Sequence, residues 1–213
     1  MVIKTIREFL LLCILCSGGA SCTRYAFPAG QVLEDREGKL LYSNDSLDFS
    51  VSYWAAGSKY VVSPSRKAQR AFIPPAYRKT LRKYDKRRPL VIYRHWSTSP
   101  PRRFLVCPPR PDKPSLDESR NDLYNYLRKT KQIINIDTST TDTAFHYDHR
   151  EIRYYLKTKS QTFLHVLEYH TLVKGAVCRF VFMMERKKEA DYLEAGLFFN
   201  LDVSLAMDTF HLY

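Results

Sequence analysis

EIRYYLKTKSQTFLHVLEYHTLVKGAVCRFVFMMER, Glu151–Arg186, contains three runs in which apolar and polar residues alternate: Glu151 to Lys157, Thr162 to Tyr169 and Ala176 to Met184. Alternation with a period of two is the pattern of a strand whose faces meet different surroundings. The connections between the runs, Thr158 to Ser160 and Thr171 to Gly175, are short enough for antiparallel neighbours. This stretch therefore predicts an antiparallel meander. It also sets side-chain parity: His165 shares a face with Phe163 and Leu167, and His170 projects with Leu164 and Val166.

Outward from the meander, Ile133 to Asp137 reads as a further strand, followed by the polar tract Thr138 to Thr143. Ser115 to Lys131 reads as a helix. Ser115 and Glu118 make a capping-box pattern, Asp117 adds negative charge to the first turn, and Arg128, Lys129 and Lys131 suit the opposite end. Leu116, Leu123, Tyr124 and Leu127 mark its buried stripe. Before it, Leu90 to His95 and Arg103 to Cys107 are β-rich runs that suit a hairpin, and the proline-rich link Pro108 to Pro114 is expected to end strand structure. Leu47, Phe49, Val51 and Tyr53 alternate with Asp48, Ser50 and Ser52, another half-buried strand. Towards the other end, Lys187 to Met207 reads as a long helix. Its alternative is a final strand over Phe199 to Leu205, which would make the body mostly β. The fold class expected is α+β, an antiparallel sheet with helices packed on it.

Charge is uneven along the chain. The net charge is +12, and Lys59 to Arg88 carries eleven Lys and Arg against the single acid Asp85. That segment reads as a basic insert, with AYRKTLRKY (76–84) as a short helix after the loop marker Pro74-Pro75. Its candidate anion-binding residues are Arg78, Lys79, Arg82, Lys83, Lys86, Arg87 and Arg88, the alternative being a solvated loop whose charge only aids solubility.

Residues 1–22, MVIKTIREFLLLCILCSGGASC, give the compartment. Lys4 and Arg7 precede the apolar run Phe9 to Cys16, which small residues follow, the order of an export signal; eight apolar residues cannot span a bilayer that needs roughly 20. Gly19-Ala20-Ser21-Cys22 resembles a bacterial lipobox, departing from it at Gly19 where Leu is usual. That resemblance implies lipidation at Cys22, with ordinary signal cleavage as its rival. The expected layout is a signal peptide at 1–21, a lipidated N-terminus and tether at 22–46, and one α+β domain at 47–213 with the basic insert at 59–88. The chain is then exported and membrane-anchored in the cell envelope, facing the periplasm or in the outer membrane. Its partners are membrane lipid through the anchor, and an anionic envelope surface or an acidic protein; export argues against nucleic acid.

With Cys13 and Cys16 inside the signal and Cys22 lipidated, Cys107 and Cys178 remain as a possible disulfide, or as two buried thiols that never meet. No G-x-S-x-G elbow, phosphate-binding glycine loop or H-E-x-x-H helix occurs in the sequence. No catalytic residue and no cofactor are assigned. The weak alternative is a metal-dependent hydrolase at His146 and His149 with Asp148; a second alternative is a glycan platform drawn from Tyr25, Tyr42, Tyr53, Trp54, Tyr60, Tyr93 and Trp96.

Phe49-Ser50-Val51-Ser52 near the start of the body and Asp208-Thr209-Phe210-His211-Leu212 at its end are similar to motifs of the PsbP-like proteins. The order of elements across 47–213 also resembles that group, apart from the basic insert. The resemblance implies an α/β/α sandwich and an accessory, binding or assembly role without catalysis.

Overall fold

The computed structural model describes residues 30–34, 39–54, 58–95, 101–113, 115–138, 147–158, 162–186, 203 and 205–213, apart from the side chains of Trp54, Leu81 and Arg82. The signal, Cys22, His146, Trp96 and most of the helix expected over Lys187 to Met207 lie outside these residues.

Elements follow in the order β1 (Gln31–Glu34), β2 (Lys39–Asn44), β3 (Phe49–Trp54), β4 (Ser58–Val62), α1 (Arg66–Phe72), α2 (Pro75–Tyr84), β5 (Val91–His95), β6 (Arg102–Arg110), α3 (Leu116–Arg128), β7 (Ile133–Asp137), β8 (His149–Lys157), β9 (Phe163–Val173), β10 (Ala176–Arg186) and β11 (His211–Leu212). They build two antiparallel sheets. The larger has the order β4-β5-β6-β10-β9-β8-β7, and the smaller β1-β2-β3-β11. The expected meander is β8-β9-β10, at the heart of the larger sheet. Lys174 and Gly175, both at positive φ (49° and 73°), join β9 to β10. Two successive positive φ values give a tight turn whose twist matches that of the strands, and Gly175 takes this conformation without a Cβ penalty.

Alternation along β10 distributes its side chains between two cores. Cys178, Phe180, Phe182 and Met184 join one cluster, and Val181 and Met183 the other. The first cluster lies between the sheets. There Phe49 meets Phe180 edge-on with ring centroids 6.0 Å apart, Phe104 stacks on Phe182 at 4.5 Å, and Phe210 meets Phe180 at 5.0 Å. Such pairs contribute about 0.5–1.5 kcal/mol each beyond their burial. The second cluster fills the space between the larger sheet and the helices, with Ile73 and Tyr77 on one side and Leu123 and Leu127 on the other. The α+β class with an antiparallel sheet and helices packed on it is therefore the class of this chain. On the opposite face the described cover is the small sheet together with a helical turn at 205–208, which buries Ala206 and Met207.

Several local expectations hold; the reading of Pro75 as a loop marker and three others are corrected. Ser115 caps α3, its hydroxyl accepting from the Glu118 amide, and Ser65 caps α1 in the same way from Ala68. Pro75 opens α2 instead of marking a loop, because a first-turn proline has no intrahelical N–H to lose. The first correction concerns the tether: residues 31–44 supply β1 and β2, with Leu40 and Tyr42 buried. Gly30 has no room for a side chain, since a Cβ would lie 2.3 Å from the Ser43 carbonyl oxygen and 2.6 Å from the Tyr42 ring. The second concerns Pro108 and Pro109, which lie inside β6 where its register with β10 shifts between Val177 and Arg179. An irregular ladder tolerates residues that cannot donate. The third concerns the cysteines. Cys107 and Cys178 stand on adjacent strands but belong to opposite clusters, and both thiols are free. The Cys178 thiol donates instead to the Cys107 carbonyl oxygen at 3.0 Å.

The two motifs that carry the family resemblance are bonded to each other. His211 and Leu212 pair with Ser50 and Phe49. The Ser52 amide donates to the Thr209 hydroxyl at 2.9 Å, and the Tyr213 hydroxyl donates to that of Ser50 at 2.7 Å.

Candidate functional site

Beneath α2 the helix-facing side of β9 and β10 carries charge where the meander pattern leads one to expect only apolar residues. Glu168 and His170 follow Leu164 and Val166 on that face, and Arg179 precedes Val181 and Met183. All three are at least 99% buried. Arg179 is the junction. It donates through Nη1 to Glu168 Oε2 at 3.0 Å and through Nη2 to Asp85 Oδ2 at 2.9 Å. The second carboxylate oxygen of Glu168 accepts from Tyr154 at 2.6 Å and from Tyr77 at 3.2 Å. Asp85, just beyond α2, also takes a fork from Arg87, at 3.0 Å through Nε and 2.9 Å through Nη2, and the Arg87 amide donates to it. Arg87 is then tied to the sheet by donating to the Pro109 carbonyl oxygen at 2.6 Å.

These contacts decide protonation. Burial alone would raise the Asp85 pKa, but hydrogen bonding from Arg87 and the nearby Arg179 charge bring it down to about 2. Burial likewise opposes ionisation of Glu168, and Arg179 outweighs it, so its pKa is lowered. Burial would strip the proton from Arg179; Glu168 foremost and Asp85 hold it there. Tyr77 and Tyr154 are pushed far up, by burial and then by the Glu168 charge, so both remain hydroxyl donors. His170 sits 3.9 Å from Glu168, too far for a hydrogen bond, and burial lowers its pKa. Removing one member of such a network strands a buried charge, at a cost of about 3–5 kcal/mol.

The network closes the inner end of a cavity of about 40 Å³ lined by α1, α2, the 85–89 loop and the sheet. Arg78, Asp85, Arg87, Cys107 and Arg179 are among its lining residues. Cys107 is no nucleophile there: burial raises its pKa to about 12.

The residues read from sequence as anion-binding divide into two groups. Lys79, Lys83, Lys86 and Arg88 are exposed, as are Arg66, Lys67 and Arg70 on α1. Arg87 belongs instead to the inner network, and Arg78 is half-buried at the cavity. The side chain of Arg82 lies outside the described residues. Asp85, Glu168 and Arg179 were not singled out by sequence reasoning. The signal available was a charged residue on the apolar parity of a strand expected to be covered by a helix.

The weaker candidates resolve differently. His149 is buried, its Nδ1 3.2 Å from the Tyr147 carbonyl oxygen and its ring 5.5 Å from that of Tyr169. Among the described residues no group of three His, Cys, Asp or Glu is placed to hold a metal ion. His165 lies on the sheet face opposite His170, as strand parity requires, stacked on Tyr155 with centroids 4.6 Å apart. The aromatic platform is corrected for Tyr42, Tyr53 and Tyr93, which are no more than 2% exposed and pack in the inter-sheet core.

No family model matches the chain, and no curated protein matches it. One solved structure similar to it is that of cyanobacterial PsbP (CyanoP) from Synechocystis sp. PCC 6803. The identity is 13%, the alignment covers 92% of this chain and 99% of that one, and the TM-score is 0.44. Among the described residues no helix is long and apolar enough to cross a membrane.

Proposed function

We propose that this chain is an exported, lipid-anchored binding protein of the cell envelope that presses the outer surface of α1, α2 and the following loop against anionic lipid headgroups, without catalysis. The observation that carries the reading is the fate of Asp85. It is the single acid between Lys59 and Arg88, and it is turned inward to Arg87 and Arg179. The exposed residues Arg66, Lys67, Arg70, Lys79, Lys83, Lys86 and Arg88 are thus left without a nearby acid of their own segment. Ser65 and Ile73 cap α1, and α2 packs Tyr77 into the core, so Arg66, Lys67, Arg70, Lys79 and Lys83 are displayed on folded helices, with Lys86 and Arg88 in the loop that follows. Each basic residue near an anionic bilayer adds about 1 kcal/mol, and an acyl anchor adds an affinity that salt does not screen. The order of residues 4–22 supports export and the anchor at Cys22.

The test is vesicle co-sedimentation with the full chain lacking its lipid. Vesicles containing phosphatidylglycerol should bind it and phosphatidylcholine vesicles should not, with binding lost on raising salt. Replacing Lys79, Lys83, Lys86 and Arg88 together by Gln should weaken binding at least a hundredfold. Unchanged binding in that variant would sink the reading. Intact mass of the membrane-isolated protein tests the anchor separately: a chain starting at Cys22 with a diacylglycerol adduct is expected, and an uncleaved chain overturns export.

A further inference from the structure

The cavity under α2 has an electrostatic imbalance that the network around it does not relieve. Three guanidinium groups line it, those of Arg78, Arg87 and Arg179, against the single carboxylate of Asp85. Both Asp85 oxygens already accept, from Arg87 and Arg179. Glu168, outside the lining, is engaged by Arg179, Tyr77 and Tyr154. Two donors are left over. Arg179 is 99% buried and its Nε has no hydrogen-bond partner; the Nη1 of Arg78 is also buried and also has none. A buried charge-bearing donor without an acceptor costs more than a neutral one, and such atoms in a folded protein call for an acceptor that the chain does not supply.

We propose that this cavity is a binding site for a small oxyanion, a phosphate or carboxylate group held by Arg78 and Arg179. Planar guanidinium groups suit oxyanions because their parallel N–H bonds match two oxygens at once. The size agrees. About 40 Å³ is room for some three waters, since one needs about 10–15 Å³ by that measure, and thus for a carboxylate or phosphate head but not for a whole nucleotide. The sign agrees as well. Counting Glu168, the cavity and its floor hold three cations and two anions, and the exposed Lys86 and Arg88 follow Asp85 directly in sequence. A water molecule would satisfy the orphan donors but not the surplus charge.

The site makes a prediction separate from vesicle binding. Thermal unfolding of the full chain would be followed with inorganic phosphate and with sodium chloride at matched ionic strength. Phosphate should raise the midpoint saturably beyond chloride. Arg78→Gln should weaken the apparent phosphate affinity at least tenfold, whereas Lys131→Gln, the same charge change on an exposed residue outside the cavity, should leave it unaltered. Arg78 is half-buried at the cavity and belongs to neither apolar cluster, so its Gln variant keeps the core intact; circular dichroism checks this. Equal responses to phosphate and chloride, or equal weakening by both variants, would overturn the proposal and leave water in the cavity. Once phosphate binding is established, its effect on protein bound to phosphatidylglycerol vesicles assigns the source. Displacement by phosphate, lost in Arg78→Gln, identifies the lipid headgroup as the natural occupant. Retention identifies a free anion, and either result supports the site. Vesicle binding that fails altogether while phosphate still stabilises the chain separates the failure of the membrane reading from that of the cavity.

Discussion

The two faces of the larger sheet are built from the same strands on different principles. Towards the small sheet, β10 presents Phe180, Phe182 and Met184, which pack with Phe49, Phe210 and the neighbouring Phe104 in an apolar patch, on a face whose other buried positions include Glu151, His165 and Arg186. Towards the helices, the same strand presents Arg179 to Glu168 and Asp85. An apolar layer gains from every area it removes from water, whereas a buried ion pair roughly returns the desolvation it costs. The aromatic patch between the sheets is therefore a net source of stability. The charged face needs another reason to exist, and a site that receives an anion is one.

The difference can be broken from either side. The largest effects should come from single truncations: Phe180→Ala opens a void in the aromatic layer and Arg179→Ala strands Glu168, each losing about 3–5 kcal/mol in urea unfolding. What separates the faces is the response to a paired change. Arg179→Met with Glu168→Leu and Asp85→Asn should recover most of the lost stability, since apolar replacement of a buried ion group is often neutral or better. No compensating substitution is expected for Phe180→Ala. If the triple variant stays as unstable as Arg179→Ala, the network is a structural keystone and the contrast fails.

Acid should distinguish the faces next. Burial, with Arg186 and Arg153 adding to it, lowers the His165 pKa to about 3 on the inter-sheet side. Between that value and its ordinary 6.5 the unfolded chain holds the extra proton, so stability falls as pH drops through this range. Asp85, on the helix side, is depressed from 3.8 to about 2. Its contribution is complete above about pH 4 and disappears as pH falls towards 2. Melting temperatures measured from pH 7 to 2 should show both limbs. His165→Phe should flatten the upper limb and spare the lower; loss of both together would show that the faces are not independent. The smallest effect is local: Ser115→Ala removes the α3 cap and should cost about 1 kcal/mol, with the phosphate response intact.

What could be read in the sequence follows the same division. The meander was legible because Glu151 to Arg186 keeps its period of two over three consecutive runs with short links. The α3 helix was legible because Ser115, Glu118 and the leucine stripe agree at different levels. β1 and β2 were not, since four- and six-residue strands near glycine and charged residues have too little pattern to separate from a tether. The inner network was hidden for a different reason. Glu168 and Arg179 stand as single charges among the apolar residues of one strand face, and nothing in their own strands shows that Asp85, from beyond α2, comes over to meet Arg179. Arg87 and Arg88 cannot be told apart in a run of charges, yet one folds back onto Asp85 and the other stays in water. The sequence left the cysteines open between a disulfide and two separate thiols, and only the β6–β10 register, which sets Cys107 opposite Arg179, shows that the two thiols face apart.

The bond between β3 and β11 has a consequence for how the chain is made. Phe49 and Ser50 are synthesised more than 150 residues before the His211 and Leu212 that pair with them. Until those residues emerge, β3 lacks a neighbour along one edge, and the aromatic layer lacks Phe210. Contacts this distant in sequence form slowly, and an uncovered strand edge is open to the wrong partner. A nascent chain halted before residue 209 should therefore hold its small sheet unfinished, vulnerable to protease and in need of a chaperone, even though the β8-β9-β10 meander has already been synthesised in full.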